Sequence, residues 1–113
     1  MEKKIIKLVE SVEVYNLNKD KKSKVKARID TGAAISSIDI KLAAKLGLGP
    51  IIDHANIRNS HGKSVRAVIE GVIVLKGEEL KERFTLANRS EMKYDVLVGR
   101  NILRNDFLID PTE

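Results

Sequence analysis

The 113-residue chain contains no cysteine and no tryptophan. The first absence excludes disulfides, thiolate nucleophiles and cysteine-bound zinc. The aromatic set is only Tyr15, Phe84, Tyr94 and Phe107, so a core must be built from Ile, Leu, Val and Ala. No apolar run is long enough to span a bilayer, and a membrane is not an expected partner. Met1-Glu2-Lys3-Lys4 leads into only short apolar pieces, unlike a secretory leader, and a cytoplasmic location is the expectation. Histidine occurs twice, as His54 and His61. Neither has a second His or a carboxylate at helical ligand spacing, and His-Glu-x-x-His is missing, so no metal site and no cofactor are expected.

Charge is abundant, with 21 Lys and Arg against 16 Asp and Glu, a net +5. Much of the excess lies in Lys19, Lys21, Lys22, Lys24, Lys26 and Arg28. A basic run can mark a nucleic-acid surface. Single-strand binding, however, relies on aromatic stacking, which this composition barely supplies. A solvated lysine-rich face, or attraction to an acidic substrate, fits better than nucleic acid. A nucleic-acid binder on a β-barrel is kept as a third class, for which salt-dependent binding to single strands is the test. The length suits one domain, residues 1–113, with one modest core.

Along the chain, β-branched residues between Ile5 and Leu17 predict one or two strands. Asn16 to Lys22 reads as a turn. Lys24 to Asp30 alternates apolar and basic, the pattern of a half-buried strand. A short strand follows at Ile35 to Ile38, then a helix from Asp39 to Leu46, with Asp39 or Ser37 as its cap and Gly47 as its stop. Residues 51–58 and 64–75 predict strands around the turn Asn59-Ser60-His61-Gly62-Lys63. Gly77-Glu78-Glu79 predicts another turn, before a strand at 80–87. Tyr94 to Gly99 reads as a buried strand and Arg100 to Asn105 as a short helix with Ile102 and Leu103 turned inward. Phe107 to Ile109 reads as a last strand. The sum is an all-β chain with one or two short helices.

The most informative stretch is Ile29-Asp30-Thr31-Gly32-Ala33. Asp is a poor strand residue, yet it ends a strand-like run here. Gly32 allows a close backbone approach, and Thr31 offers a hydroxyl to hold the loop. That suits a carboxylate fixed on a rigid loop, although turns of this composition are also common without chemistry.

Two segments together carry a resemblance. Ile29 to Ala33, followed by Ser36, Ser37 and Ile38, and the later Val96-Leu97-Val98-Gly99-Arg100-Asn101-Ile102-Leu103 resemble the retropepsin-like aspartic proteases. Within that group the chain looks most like the small intracellular branch called ATP-dependent zinc proteases. Members of that branch are associated with ATP-grasp enzymes that add glutamates to proteins. Arg28 to Ala33 with Ser36-Ser37 match its hallmark run, whereas the zinc label finds no support in these residues. The resemblance covers roughly residues 24–110 and implies an acid-protease, retropepsin-like closed β-barrel.

Peptide hydrolysis by carboxylates needs two of them sharing a proton, because two carboxyls a few ångströms apart do not both ionise easily. The chain has one Asp-Thr-Gly, and Tyr94-Asp95-Val96 lacks the Thr-Gly, so a shared pair would come from Asp30 in two copies. The resemblance implies the same: a homodimer acting on a peptide or protein. By position it makes Asp30, Thr31 and Gly32 catalytic, with Thr31 bonding across the pair. Ala33 and Ala34 would meet substrate, and Ser60, His61 and Gly62 would form a flap closing over it. Val98, Gly99, Arg100 and Asn101 would support the base of the site, and Phe107 to Ile109 could pair with the partner chain. Ala33, rather than Ser, removes a potential donor to the carboxylate, and activity nearer neutral pH than for digestive relatives is expected. Ala34 stands where viral members have an acidic residue, so Arg100 needs another partner, with Asp39, Asp106 and the substrate as candidates. A homodimeric aspartic peptidase is the leading expectation, with an acidic or glutamate-rich tail as substrate. A non-catalytic retropepsin-like module for dimerisation or peptide binding is the rival.

Overall fold

The computed structural model describes residues 2–59 and 62–112. Its strands are β1 (Lys4–Ile6), β2 (Val9–Tyr15), β3 (Lys22–Ile29), β4 (Ser36–Asp39), β5 (Asp53–Asn59), β6 (Gly62–Leu75), β7 (Glu78–Ala87), β8 (Val96–Val98) and β9 (Phe107–Ile109). Helix α1 spans Ile40–Leu46 and α2 spans Arg100–Leu103.

Alternation makes the barrel wall. In β3, Ala27 and Ile29 are buried while Lys22, Lys24, Lys26 and Arg28 face solvent, because successive side chains point to opposite faces. In β2, Val12 and Val14 turn inward in the same way. The main sheet runs β2-β3-β8-β4-β7-β6, and β6 pairs back to β2, so six strands close a mixed barrel. Its β3–β8 and β4–β7 pairs are parallel. Closure leaves the barrel strands without an open edge. The all-β closed barrel with two short helices expected from the sequence is therefore observed. The interior is mainly aliphatic, with two aromatics, Phe84 and Phe107, and with Ile6, Ile38, Ile69, Ile73, Val96, Val98 and Ile102 fully buried. Strand β5 lies outside this closed wall, paired antiparallel to the first part of β6 from Asp53↔Val68 to Asn59↔Gly62.

Asp39 caps α1: its carboxylate accepts from the N–H groups of Lys41 (3.1 Å) and Leu42 (3.4 Å). Ser37, the alternative cap, is a β4 residue instead. Gly47 ends the helix at φ 65°, where a side chain would be strained. Leu42, Ala43 and Leu46 seal one end of the core.

Several boundaries differ from expectation. Strand β8 covers only Val96–Val98, although Asp39 N–H still donates to the Asp95 carbonyl (2.8 Å) in line with the β4–β8 register. The β6–β7 turn falls at Lys76 and Gly77, both at positive φ, and Glu78 already belongs to β7. Strand β9 pairs in parallel with β1 of its own chain, Ile5 opposite Leu108. This small ribbon is held at its end by Lys7 on Asp110 (2.8 Å).

Ile38, fully buried in β4 between β7 and β8, has no room to repack. Ile38→Ala is expected to cost about 2–5 kcal/mol. Urea denaturation checks it, with a lower midpoint at unchanged slope as the expected outcome.

Candidate active site

Asp30 follows the last residue of β3 and keeps the strand's register, its N–H donating to the Val98 carbonyl of β8 (2.9 Å). Ile29 points into the barrel, so alternation turns Asp30 outward. Its Oδ1 accepts from the Gly32 N–H (2.8 Å). A Cβ on residue 32 would lie 3.1 Å from that same oxygen, so glycine lets the amide reach the carboxylate. Thr31 is exposed, and its hydroxyl makes no hydrogen bond among the described residues.

Behind this loop, two backbone segments lock together. Arg100 N–H donates to the Ala33 carbonyl (2.8 Å) and Asn101 N–H to the Ala34 carbonyl (3.2 Å). The buried Ser36 hydroxyl accepts from Gly99 N–H (2.9 Å) and donates to Asn101 Oδ1 (2.8 Å). Asn101 Oδ1 also accepts from Ser36 N–H, and its amide nitrogen donates to the Arg83 carbonyl of β7 (2.9 Å). Arg100 Nη1 donates to the Thr31 carbonyl (2.8 Å). That carbonyl is the partner found for Arg100. Asp39 is occupied by α1 and by Arg89 N–H, and Asp106 faces Lys3 at 3.9 Å.

Asp30 opens onto a cleft of about 670 Å³. Gly32, Ala33, Ala34 and Arg100 line it, as does the β5–β6 arm through Ala55, Ile57, Arg58 and Arg66. Thr31, Val98, Gly99 and Asn101 do not line it; the last three hold the loop from behind. Gly62, at φ 115°, opens β6 away from the cleft walls. Ser60 and His61 lie outside the described residues.

The sequence reading missed the cleft floor and every cleft arginine except Arg100. Thr85, Ser37 and Leu97 sit side by side on β7, β4 and β8 and form that floor. Arg58, Arg66, Arg89 and Arg100 all line the cleft, while Asp30 is the only carboxylate among its described lining residues. Arg89 is only 7% exposed. Burial, and then the nearby Arg66, pull its guanidinium below its ordinary value, against the opposing pull of Asp95, Asp39 and Asp30. Arginine keeps its proton through such a shift. Among the described residues, no group of three or more His, Asp or Glu could hold a metal ion.

A family model described as "Retropepsin-like aspartic endopeptidase RimB" matches residues 45–113, beginning after the Asp30 loop. A probable alpha-L-glutamate ligase of Shewanella pealeana is 34% identical over 114 residues, covering 79% of this chain and 25% of that protein. One from Parasynechococcus marenigrum is 29% identical over 113 residues, covering 77% and 24%. The chain thus spans about a quarter of the length of the curated relatives it matches. Among solved structures, EIAV protease bound to an inhibitor superposes with a TM-score of 0.65 at 21% identity, covering 86% of this chain and 85% of that one. The foamy viral protease-reverse transcriptase gives 0.69 at 21% identity, covering 94% and 12%. A Legionella pneumophila protein of unknown function gives 0.62 at 19% identity, covering 96% and 93%. These three likenesses establish a shared fold.

A Cβ at Gly99 would meet the Ala33 carbonyl at 2.8 Å, with two further backbone atoms at 3.0 and 3.1 Å. Gly99→Ala is expected to cost about 1–3 kcal/mol, since backbone on both sides must yield. A lower melting temperature, with faster hydrogen exchange at the Arg100 amide, is the expected readout.

Proposed function

The chain belongs to the RimB-like family of retropepsin-like aspartic endopeptidases, and from that premise we propose that it is a peptidase completed by two copies of itself. The observation that carries this reading is Asp30: an outward carboxylate at a strand end, fixed by the Gly32 amide, open to a peptide-sized cleft. Two such carboxylates across a two-fold axis would share one proton. The anionic one takes a proton from water as the water attacks the scissile carbonyl, and the protonated one donates to the carbonyl oxygen. Thr31 would bond across the axis, and Arg100, through the Thr31 carbonyl, would hold that loop in position. The β5–β6 arm would cover the substrate and exclude water.

Pairing is supported by exposed apolar surface on the terminal ribbon. Ile5 and Leu108 are 59% and 52% exposed and stand opposite each other on β1 and β9. A strand edge with apolar neighbours is suited to a second copy. An acidic or glutamate-rich tail is the proposed substrate. Its support is the net +5 charge, the arginines of the cleft, and the glutamate-ligase names of the longer relatives. A protein that bears added glutamates is then the partner class, and the cytoplasm is the proposed setting.

A second reading, a non-catalytic dimerisation or peptide-binding module, is favoured by one observation. The cleft of a single chain presents one carboxylate among its described lining residues, where hydrolysis needs two. Peptide binding with no turnover by the unsubstituted dimer would support it over the peptidase.

Sedimentation from micromolar to nanomolar chain concentration is expected to show a dimer, and a monomer throughout would remove the shared pair. Asp30→Asn is expected to lower peptide hydrolysis by at least about a hundredfold while the dimer persists. Hydrolysis that survives this substitution in purified protein would exclude the proposed chemistry.

A further inference from the structure

The reaction gives Arg89 no task. Its backbone N–H donates to Asp39 Oδ1 and its Nε to the Tyr94 carbonyl, both at 2.8 Å. These two bonds fix the side chain close to the guanidinium. The two terminal nitrogens have no hydrogen-bond or ion-pair partner among the described residues. They are not among the fully buried unpartnered polar atoms and so reach the cleft, where Asp95, Asp39 and Asp30 act on the guanidinium only through charge. Arg89 lines the cleft, so its free side can be satisfied from there.

Ser37 makes the same point independently. It is 4% exposed, and its hydroxyl is a buried polar atom with no partner among the described residues. It lies on the floor between Thr85 and Leu97 and lines the same cleft. Two unspent hydrogen-bonding groups in one cleft, one of them an immobilised guanidinium, match a carboxylate in charge and in fork geometry.

We propose that Arg89 and Ser37, which line the same cleft, form a specificity subsite that takes one side-chain carboxylate of the substrate flanking the bond to be cleaved. This rests on the peptidase reading and adds to it that acidity is read at a defined position. General attraction by Arg58 and Arg100 is different in kind, since both are exposed and salt weakens their pull.

The test is a set of fluorogenic peptides with a Gln background and a single Glu moved through each position. The expected result is that Glu raises kcat/KM by roughly 10- to 100-fold over Gln only at the positions that meet Arg89, one on each side of the scissile bond in a symmetric dimer, and keeps doing so at high salt. Arg89→Met should abolish that preference, and Arg89→Lys should restore part of it. Ser37→Ala, which removes an unpartnered hydroxyl, should weaken the preference several-fold without lowering the melting temperature. Should Arg89→Met fail to fold, Ser37→Ala carries the same test. A preference that is equal at all positions, or vanishes with salt, overturns the subsite and leaves the peptidase intact. So does full preference in a folded Arg89→Met protein. Binding to the Asp30→Asn protein separates the two ideas in the other direction. An Arg89-dependent preference in binding, alongside no hydrolysis by the unsubstituted protein, would support the subsite and sink the peptidase.

Discussion

The close approach of two backbone segments at Gly99 is the constraint on which the site depends. Gly99 has φ −101°, a value open to any residue, so conformational freedom does not explain the glycine. Space does: the 33–36 segment passes so near that a Cβ would meet its backbone at 2.8 Å. Only at this separation can the Ala33 and Ala34 carbonyls accept from Arg100 and Asn101, and Ser36 Oγ from Gly99. The carbonyls at the end of the Asp30 loop are thereby satisfied by the start of α2, and the buried Ser36 hydroxyl and Gly99 N–H satisfy each other. Asn101 extends the brace to β7 through the Arg83 carbonyl. A carboxylate held this way keeps its position without reorganising, the property that electrostatic preorganisation exploits.

The readable parts of the chain were those governed by local rules. Alternation in β3 assigned Ala27 and Ile29 to the core and the lysines to solvent, because strand side chains have a period of two. The cap and stop of α1 were visible as Asp39 and Gly47 for equally local reasons. The Asp-Thr-Gly segment and the Val-Gly-Arg-Asn segment were legible as a pair, and the barrel brings them together as β3 and β8. Tertiary competition decided what failed. Arg100 turns to a backbone carbonyl rather than to either candidate aspartate. The pairing of Phe107–Ile109 with β1 of its own chain, Ile5 opposite Leu108, likewise follows from no local pattern.

The arginines of the cleft show a deeper limit. Arg58 and Arg66 sit in alternating hairpin strands, where a charged residue reads as a solvated face. Arg89 falls in Asn88-Arg89-Ser90, which reads as a polar turn. What buries it is the carboxylate of Asp39, fifty positions earlier, drawing in its N–H, and the Tyr94 carbonyl taking its Nε. No local pattern encodes those partners. Asp39 thus has two duties, capping α1 and seating Arg89, so helix and cleft floor are coupled through one side chain.

Two-fold assembly would change what this cleft selects. An isologous dimer presents every residue of the site twice, once on each side of the shared carboxylates. Arg89 would then be matched by its own copy across the scissile bond, and one peptide would meet both. A lone acidic residue could engage one guanidinium and would leave the other without a carboxylate, so it gains only part of what the two copies offer. A run of acidic residues engages both wherever the bond is placed. Symmetry therefore converts a preference for one carboxylate into a preference for the interior of an acidic stretch. The exposed lysines and arginine of β3, on the same strand face that ends at Asp30, would favour the approach of that stretch from outside.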